Sequence, residues 1–336
     1  MTNKTVIVWP THIVDTRLNL LKHWLSQELK LNIESILPAS ADASFRRYFR
    51  ILTQTDVYIA MDAPPEKESL AMFIEADGAL ADLAVHVPKI HAQNLQLGFL
   101  LLEDLGTRTF LDELSDDPKR HYSAAITSLI KIQSGGAHSN LFTPPSYDAA
   151  KLSQEMDLFS EWYMGQHLGI KLSVQQKNDF EMAKRFLVNT CLDQPQVWVH
   201  RDYHSRNLMI TTKNSPGVID FQDIVLGPIT YDLASLFKDC YIEWPRERQL
   251  EWLQEYIDLS NNEIALEDLV TWFDLTGLQR HLKVLGIFCR LNYRDGKQQY
   301  LNDLPLVAKY TLDVLQRYPQ LGNFATTFKP FIEQAL

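Results

Sequence analysis

Three polar side chains that could take part in catalysis lie close together in the sequence, within residues 196–236. Residues 197–199 have the composition of a buried strand; Asp202 follows that strand, and Asn207 comes five residues later. Asp220 follows a second short apolar run. A carboxylate can accept the proton of an attacking hydroxyl, whereas an amide oxygen and a second carboxylate are ligands that a hard divalent cation prefers. The pattern therefore predicts a proton acceptor beside a divalent-cation site.

Asn207 and Asp220 are predicted to face each other across a β-hairpin. Residues 208–211 are apolar or β-branched, residues 218–221 are apolar around Asp220, and residues 213–217 are rich in turn formers. If the turn centres on residues 213–214, residues whose numbers add up to 427 are opposite each other, as Asn207 and Asp220 are. Their side chains would then lie roughly 5 Å apart at the base of the hairpin.

The order of these residues resembles that in the kinase-like phosphotransferases. His200-Arg201-Asp202 together with Asn207 matches the catalytic loop H-R-D-x-x-x-x-N. Asp220-Phe221-Gln222 stands where protein kinases have D-F-G, and it runs almost directly into residues 227–234, which leaves no room for a long activation segment. Residues 99–106 look like an interlobe hinge. The chain is thus similar to the aminoglycoside phosphotransferase and choline kinase group.

The resemblance implies a role for each residue of this segment. Asp202 would orient or deprotonate the acceptor hydroxyl, while Asn207 and Asp220 would hold the Mg²⁺ that bridges the phosphates of ATP. Asp232, at the start of a helix, looks like the structural aspartate that supports the catalytic loop in this group. His200 is expected to pack behind the loop and to support it by hydrogen bonding. ATP and Mg²⁺ are therefore the expected cofactors.

Three longer strings resemble a narrower group. They are residues 43–50 (ASFRRYFR), 61–65 (MDAPP) and 277–288 (GLQRHLKVLGIF). They are similar to the anomeric kinases of bacterial cell-wall recycling, which use ATP to phosphorylate N-acetylmuramate and N-acetylglucosamine at C1. This resemblance implies a small amino sugar as the acceptor and a place in peptidoglycan recycling.

The nucleotide-binding region departs from the pattern of the group. Members usually carry a lysine on the third strand that contacts the nucleotide phosphates, but the matching position here is Met61. Residues 40–44 contain no glycine, although a backbone cradle for phosphate favours one. We expect an arginine to supply the missing positive charge, since a guanidinium contacts phosphate in a forked geometry. The candidates are Arg46, Arg47 and Arg50.

Two further sets of candidate residues follow from these considerations. The predicted nucleotide contacts are Ser44, Arg46, Glu103 and Leu105, with adenine received by the backbone of the hinge. The predicted substrate contacts are Arg206, Asp223 and Arg280. Each of the latter has an alternative role: Arg206 as a solvated loop residue, Asp223 at a helix N-terminus and Arg280 in a buried salt bridge.

The elements around these motifs predict an α+β, two-lobed protein-kinase-like fold. Residues 1–103 should form a small nucleotide-binding lobe with strands at 44–52, 57–61, 90–94 and 99–103, and with helices at 14–30 and 67–83. Residues 104–336 should form a mainly helical catalytic and substrate-binding lobe, because apolar residues recur there at helical spacing. Such a division is expected to leave a ligand-binding cleft between the lobes.

Composition limits the partners and the compartment. Lys and Arg total 32 and Asp and Glu total 42, so the formal net charge is -10, and nucleic acid is not an expected partner. Residues 1–10 hold too short an apolar run for a signal peptide, and no apolar stretch approaches the roughly 18 residues of a membrane span. The three cysteines, at positions 191, 240 and 289, are widely spaced and form no C-x-x-C motif, which fits a reducing compartment. We expect a cytoplasmic protein that does not bind a membrane and does not act on a protein substrate.

Alternative functions remain open from the residues alone. The second hypothesis is a phosphotransferase for another small alcohol, such as an aminoglycoside or choline. The third is a nucleotide-binding pseudokinase, suggested by Met61 and opposed by the intact Asp202, Asn207 and Asp220. The four-residue spacing of His200 and His204 could also indicate zinc, although the pair follows a strand and has no third ligand nearby.

Overall fold

The computed structural model describes residues 15–40, 45–114, 117–138 and 142–336, and the chain forms two compact units. The smaller unit runs through Ala71 and adds Pro88–Asp104, while the larger one comprises Met72–Val87 and Leu105–Leu336. The first contains an antiparallel sheet and the second is mostly helical, so the predicted α+β class is confirmed. The sequence did not predict that residues 72–87 belong to the larger unit.

The smaller unit consists of one helical segment and a five-stranded sheet. Helix α1 (Thr16–His23) continues into a π-helical turn at Trp24–Glu28. The sheet has the order β1-β2-β3-β5-β4, with all neighbours antiparallel. Its strands are β1 (Ile33–Ser40), β2 (Arg47–Thr53), β3 (Val57–Asp62), β4 (Ile90–Asn94) and β5 (Phe99–Glu103). The sequence predicted the last four strands.

Strand β1 was not predicted from the sequence. Pro38 interrupts its apolar pattern, and proline is tolerated in a strand only at an edge or a bulge because it lacks a backbone donor. Both conditions hold here, since β1 lies at the edge of the sheet and its register shifts between Pro38 and Ser40.

Helix α1 covers one face of this sheet. Asp15 caps its N-terminus, because Asp15 Oδ1 accepts a hydrogen bond from the Leu18 N–H at 2.9 Å. The apolar side chains of the helical segment pack against alternate residues of β2, β3 and β5, and this makes the core of the unit. The buried members of that core are Leu21, Trp24, Leu25, Phe49, Ile51, Ala60, Phe99 and Leu101.

The larger unit contains eleven named helices and two small two-stranded sheets within its described residues. The first helices are α2 (Ala71–Asp82), α3 (Phe110–Glu113), α4 (Pro118–Gln133), α5 (Gly135–His138), α6 (Ala149–Leu158) and α7 (Val174–Leu192), with a π-helical segment at Phe159–His167. The strands are β6 (Gln196–Val199), β7 (Leu208–Met209), β8 (Gly217–Val218) and β9 (Val225–Pro228). The later helices are α8 (Tyr231–Phe237), α9 (Arg246–Ser260), α10 (Leu266–Tyr293), α11 (Leu304–Arg317) and α12 (Gly322–Ile332). Short 3₁₀ turns lie at Gln298–Asp303, Pro319–Leu321 and Glu333–Ala335.

Helix α10 is the central element of the larger unit. Its 28 residues pack against the π-helical segment, α6, α7, α8 and α11. Because neighbours surround it, polar residues within it are buried as well, among them Gln279, Arg280, His281 and Lys283. A helix buried on all sides can therefore place charged groups inside the unit.

The close approach of α10 to α6 requires a glycine. A Cβ on Gly286 would overlap the backbone carbonyl group of Leu158 at the end of α6. By contrast, a Cβ on Gly78 in α2 would meet nothing within 4 Å.

Cys191, Cys240 and Cys289 are buried and have free thiols. Within the described ranges, no helix combines the length and the apolar character needed to cross a membrane.

We predict opposite effects on stability for alanine at these two glycines. Gly286→Ala should lower the free energy of unfolding by about 1–3 kcal/mol, because backbone must move to accommodate the added methyl group. Gly78→Ala, the matched control, should raise it by up to about 1 kcal/mol, because alanine is the better helix former. Urea unfolding monitored by circular dichroism measures both changes. Equal effects would contradict the close approach of the two helices.

Candidate active site

Asp232 anchors the loop that carries Asp202. Strand β6 leads directly to His200, and Asp232 in the first turn of α8 accepts hydrogen bonds from the N–H of His200 at 2.6 Å and of Arg201 at 2.9 Å. Arg201 has a φ of 77°, a left-handed conformation that is uncommon for residues other than glycine. Two bonds to a fully buried carboxylate hold the loop in this shape.

His200 connects this loop to the segment that carries Asp220. Its Nδ1 accepts a hydrogen bond from the Asp202 N–H at 3.3 Å, and its Nε2 donates one to the carbonyl of Ile219 at 3.0 Å. Burial lowers the pKa of His200, so the ring is neutral at neutral pH and one tautomer satisfies both bonds. Both ring nitrogens are engaged by backbone groups, which argues against the zinc alternative.

The register of the predicted hairpin is wrong by one residue. Leu208 pairs with Val218 and Met209 with Gly217, so the numbers of paired residues add up to 426 rather than 427. The amide nitrogen of Asn207 nevertheless lies 3.4 Å from Oδ2 of Asp220. The ladder ends before Asp220, which has a φ of 64°, and this left-handed turn brings the carboxylate back towards Asn207.

The residues at this position fit a hard divalent cation. The amide nitrogen of Asn207 donates to the carbonyl of Asp202 at 3.0 Å, which leaves the amide oxygen as a ligand, and Gln222 donates to Oδ1 of Asp220 at 2.8 Å. Mg²⁺ is usually held by one or two carboxylates, with phosphate and water oxygens in its other positions. No group of three His, Cys, Asp or Glu side chains able to hold a metal occurs among the described residues. The donor set thus suits a cation completed by phosphate.

Several positive charges surround the Asp202 carboxylate. Burial acts to raise the pKa of Asp202, but nearby cationic groups outweigh it and lower the pKa to about 2. In order of effect these groups are Lys283, His204, Arg280 and Arg201; burial lowers the pKa of His204, so at neutral pH only the lysine and the two arginines are charged. Asp202 is therefore ionised throughout the physiological range.

A buried ionic cluster, not predicted from the sequence, fixes two of these cations. Glu155 of α6 contacts Arg201 at 2.6 Å and Lys283 of α10 at 3.2 Å, and Tyr147 donates to the same carboxylate. Lys283 also donates to the Tyr231 hydroxyl at 3.2 Å. A lysine within an apolar helical stripe was the only sequence signal, and its partner lies 128 residues earlier in the chain.

The predicted substrate contacts have different environments. The exposed Arg206 places its guanidinium over the Tyr241 ring, 3.4 Å from the centroid. Asp223 is exposed and lies in the turn before β9. Arg280 is buried and donates to Cys240 Sγ at 3.4 Å, and the alternative of a buried salt bridge finds no carboxylate partner among the described residues.

In the smaller unit, the sheet separates the three candidate arginines. Tyr48 of β2 pairs with Met61 of β3, and alternation along β2 places Arg50 on the same face as these two residues. Arg47 pairs with Asp62 and points to the opposite face, where its guanidinium contacts that carboxylate at 2.5 Å. Arg46 lies just before β2, outside the paired residues.

Each arginine contacts a carboxylate. Arg46 Nε lies 2.5 Å from Glu68, and Arg50 Nε lies 2.6 Å from Asp104. Asp62, which is fully buried, contacts Arg17 at 2.5 Å in addition to Arg47. Arg47 therefore belongs to a structural cluster, whereas Arg46 and Arg50 remain candidates for phosphate binding.

The remaining predicted nucleotide contacts are less defined. Ser44 lies outside the described residues. Glu103 ends β5, and its carboxylate accepts a hydrogen bond from the Lys89 N–H at 3.2 Å. Leu105 is buried beside the hairpin, since a Cβ on Gly217 would come within 2.7 Å of its Cδ1.

Comparisons with known proteins agree with these findings. The profile of the phosphotransferase enzyme family matches residues 35–268. A relative from Pseudomonas putida named N-acetylmuramate/N-acetylglucosamine kinase is 43% identical and covers 94% of this chain and 96% of its own. A relative of the same name from Pseudomonas aeruginosa is 42% identical and covers 86% of both chains.

The similarity to solved structures concerns the fold. An ethanolamine kinase from Plasmodium vivax superposes with a TM-score of 0.65 at 12% identity and covers 99% of this chain and 93% of its own. The predicted kinase-like fold and the resemblance to this group of phosphotransferases are thereby confirmed.

We predict that removing the charge of Asp232 destabilises the protein through the loop. Asp232→Asn offers one oxygen acceptor to two buried N–H groups, so the free energy of unfolding should fall by about 1–3 kcal/mol. Asp223→Asn, an exposed control nearby, should change it by less than about 0.5 kcal/mol. Chemical denaturation of both variants measures the difference. A stable Asp232→Asn would show that the loop holds its shape without this carboxylate.

Proposed function

The chain belongs to the phosphotransferase enzyme family, and from this premise we propose that it transfers the γ-phosphoryl group of ATP to the C1 hydroxyl of N-acetylmuramate and N-acetylglucosamine. The names of relatives at 43% and 42% identity support this acceptor. The observation that carries the reaction type is the convergence of Asp202, Asn207 and Asp220, joined by contacts of 3.0 and 3.4 Å. Peptidoglycan recycling in the cytoplasm is the proposed setting.

Asn207 and Asp220 are the residues proposed to hold Mg²⁺. When bound there with ATP, the ion would supply neutralisation of the phosphate charge. The protein's own contribution is to keep both oxygen ligands in place: Gln222 holds the Asp220 carboxylate at 2.8 Å, and the Asp202 carbonyl holds the Asn207 amide at 3.0 Å.

Asp202 is proposed to orient the acceptor hydroxyl. Its pKa of about 2 makes its carboxylate a weak base, so it serves better as a hydrogen-bond acceptor that directs the hydroxyl than as a strong general base. An anomeric hydroxyl is more acidic than an ordinary alcohol, and its oxygen therefore needs less help in losing the proton. The low pKa of Asp202 and a C1 acceptor are chemically consistent.

Arg46 is proposed to replace the missing third-strand lysine. In protein kinases the phosphate-binding lysine is held by an ion pair with a glutamate, and Arg46 has such a partner in Glu68. Arg46 directly precedes β2, in which Tyr48 pairs with Met61. We further propose that the backbone of residues 103–105 receives adenine and that Ser44 contacts the nucleotide.

The experiment that tests the function is an ATP-consumption assay over amino sugars, aminoglycosides and choline, with ³¹P NMR of the product. We expect turnover of the free amino sugars to a C1 phosphate. Turnover of a cationic alcohol alone would assign a different acceptor, and ATP binding without turnover would indicate a pseudokinase.

Asp202→Asn should abolish most of this turnover and spare nucleotide binding. Loss of a positioned acceptor for the hydroxyl should lower kcat by about 10²–10⁴-fold. ATP affinity, measured by calorimetry, should change little. Asp258→Asn, on the exposed face of α9, is the matched control and should retain full activity. Wild-type kcat in Asp202→Asn would refute the proposed role.

Arg46→Ala should weaken ATP binding without affecting the sugar. Loss of a charged hydrogen bond predicts an increase of about 10–100-fold in KM for ATP, while KM for the sugar stays near its wild-type value. Arg47→Lys is the control, because it keeps the charge near Asp62 on the opposite face. An unchanged KM for ATP in Arg46→Ala would end the proposal, and an increase seen only in Arg50→Ala would transfer the role to Arg50.

A further inference from the structure

Arg280 is a buried cation that lacks an ionic partner. It lies within α10 and is 4% exposed, and its guanidinium donates to Cys240 Sγ at 3.4 Å. Sulfur is a weak acceptor. Burial raises the pKa of the Cys240 thiol to about 11, so that thiol is neutral at neutral pH and offers no counter-charge. Within the ranges that the structure describes, no carboxylate forms an ion pair with Arg280.

Other buried cations of the larger unit are paired. Lys238 lies 2.7 Å from Asp274, and Lys283 lies 3.2 Å from Glu155. Removing a charge from water costs several kcal/mol in real proteins unless a partner compensates it. A single weak hydrogen bond compensates little of this cost for Arg280. Such an uncompensated charge is expected where the ligand itself supplies the ionic partner.

Arg280 lies close to the loop that carries Asp202: it donates to Cys240, and the ring of the next residue, Tyr241, lies 5.5 Å from the ring of His204 in that loop. Burial disfavours the charged form of Arg280, and the carboxylate of Asp202, which is proposed to orient the acceptor hydroxyl, is among the nearby groups that favour it. Lys283, one turn further along the same helix, is already neutralised by Glu155. Arg280 is therefore the cation of α10 that remains available near Asp202.

The two proposed acceptors differ by one charged group. N-acetylmuramate carries a lactyl ether on C3 that ends in a carboxylate, and N-acetylglucosamine has a hydroxyl there. C3 is two ring atoms from C1, so a sugar whose C1 hydroxyl lies against Asp202 places the lactyl carboxylate nearby. A guanidinium binds a carboxylate through two parallel hydrogen bonds, a geometry that a lysine cannot reproduce.

We propose that Arg280 binds the lactyl carboxylate of N-acetylmuramate and thereby sets the preference of the enzyme between the two sugars. This inference rests on the proposed function. It assigns to the larger unit a carboxylate subsite beside the acceptor hydroxyl, with the buried guanidinium as its recognition group.

The test compares kcat/KM for the two sugars in Arg280→Gln. We expect a loss of about 10–100-fold for N-acetylmuramate and little change for N-acetylglucosamine. Arg280→Lys should recover part of the loss, because it restores the charge without the fork. Arg290→Gln is the matched control: it lies on the same helix, and its neighbouring charges are Arg294, Asp295 and Glu161 rather than Asp202.

Two outcomes would overturn the inference. An equal fall in kcat for both sugars would mean that Arg280 acts on the phosphoryl group or the common part of the acceptor. No fall for either sugar would mean that it contacts neither. If the wild-type protein phosphorylates neither sugar, the proposed function is wrong. The carboxylate subsite is then tested by measuring the binding of the two sugars calorimetrically, and equal affinities would contradict it.

A second measurement leaves the protein unchanged, in case Arg280→Gln does not fold. The methyl ester of N-acetylmuramate keeps the shape of the lactyl group and removes its charge. Wild-type enzyme should use the ester about 10–100-fold less efficiently than the free acid. Equal use of ester and acid would contradict a guanidinium-bound carboxylate.

Discussion

The hydrogen bonds from the His200 and Arg201 amides to Asp232 are the interaction on which the proposed active site depends. The carboxylate is fully buried, and burial raises its pKa to about 6 even though two N–H groups favour the ionised form. The buried carboxylate of Asp232 is nevertheless needed, because the loop has a left-handed residue at Arg201 and only an external contact holds it in that conformation. From there His200 extends the constraint to Ile219, and so to Asp220.

The electrostatics of the larger unit favour orientation of the acceptor over proton abstraction. Despite burial, the surrounding basic groups, Lys283 foremost, lower the pKa of Asp202 to about 2, and Glu155 in turn holds Arg201 and Lys283 in position. A carboxylate so strongly stabilised as an anion gains little by taking a proton. Positioning and charge compensation should therefore provide most of the rate, as they do in phosphoryl transfer generally.

The sequence alone predicted features that lie within one short segment, but not contacts between residues far apart in the chain. The spacing of Asp202, Asn207 and Asp220 is a property of one short segment, as are the strands β2 to β5, and these features could be read from order and composition. The hairpin register failed by one because the connection, residues 210–216, is centred on residue 213 rather than between residues 213 and 214, and apolar alternation does not fix the centre of a turn. The pairing of Glu155 with Lys283 could not be predicted, since nothing local connects α6 to α10.

The polar residues of α10 show how one buried helix serves both stability and recognition. Successive residues of a helix point about 100° apart, so Arg280, His281 and Lys283 reach different surroundings. His281 is neutral, because burial lowers its pKa well below the usual value, and it stacks on Tyr310. Lys283 is paired with Glu155, and Arg280 is not paired with any described carboxylate. His281 is thus neutral and Lys283 has an ionic partner, whereas the buried charge of Arg280 lowers the stability of the protein. A bound anion would pair with Arg280 and restore that stability.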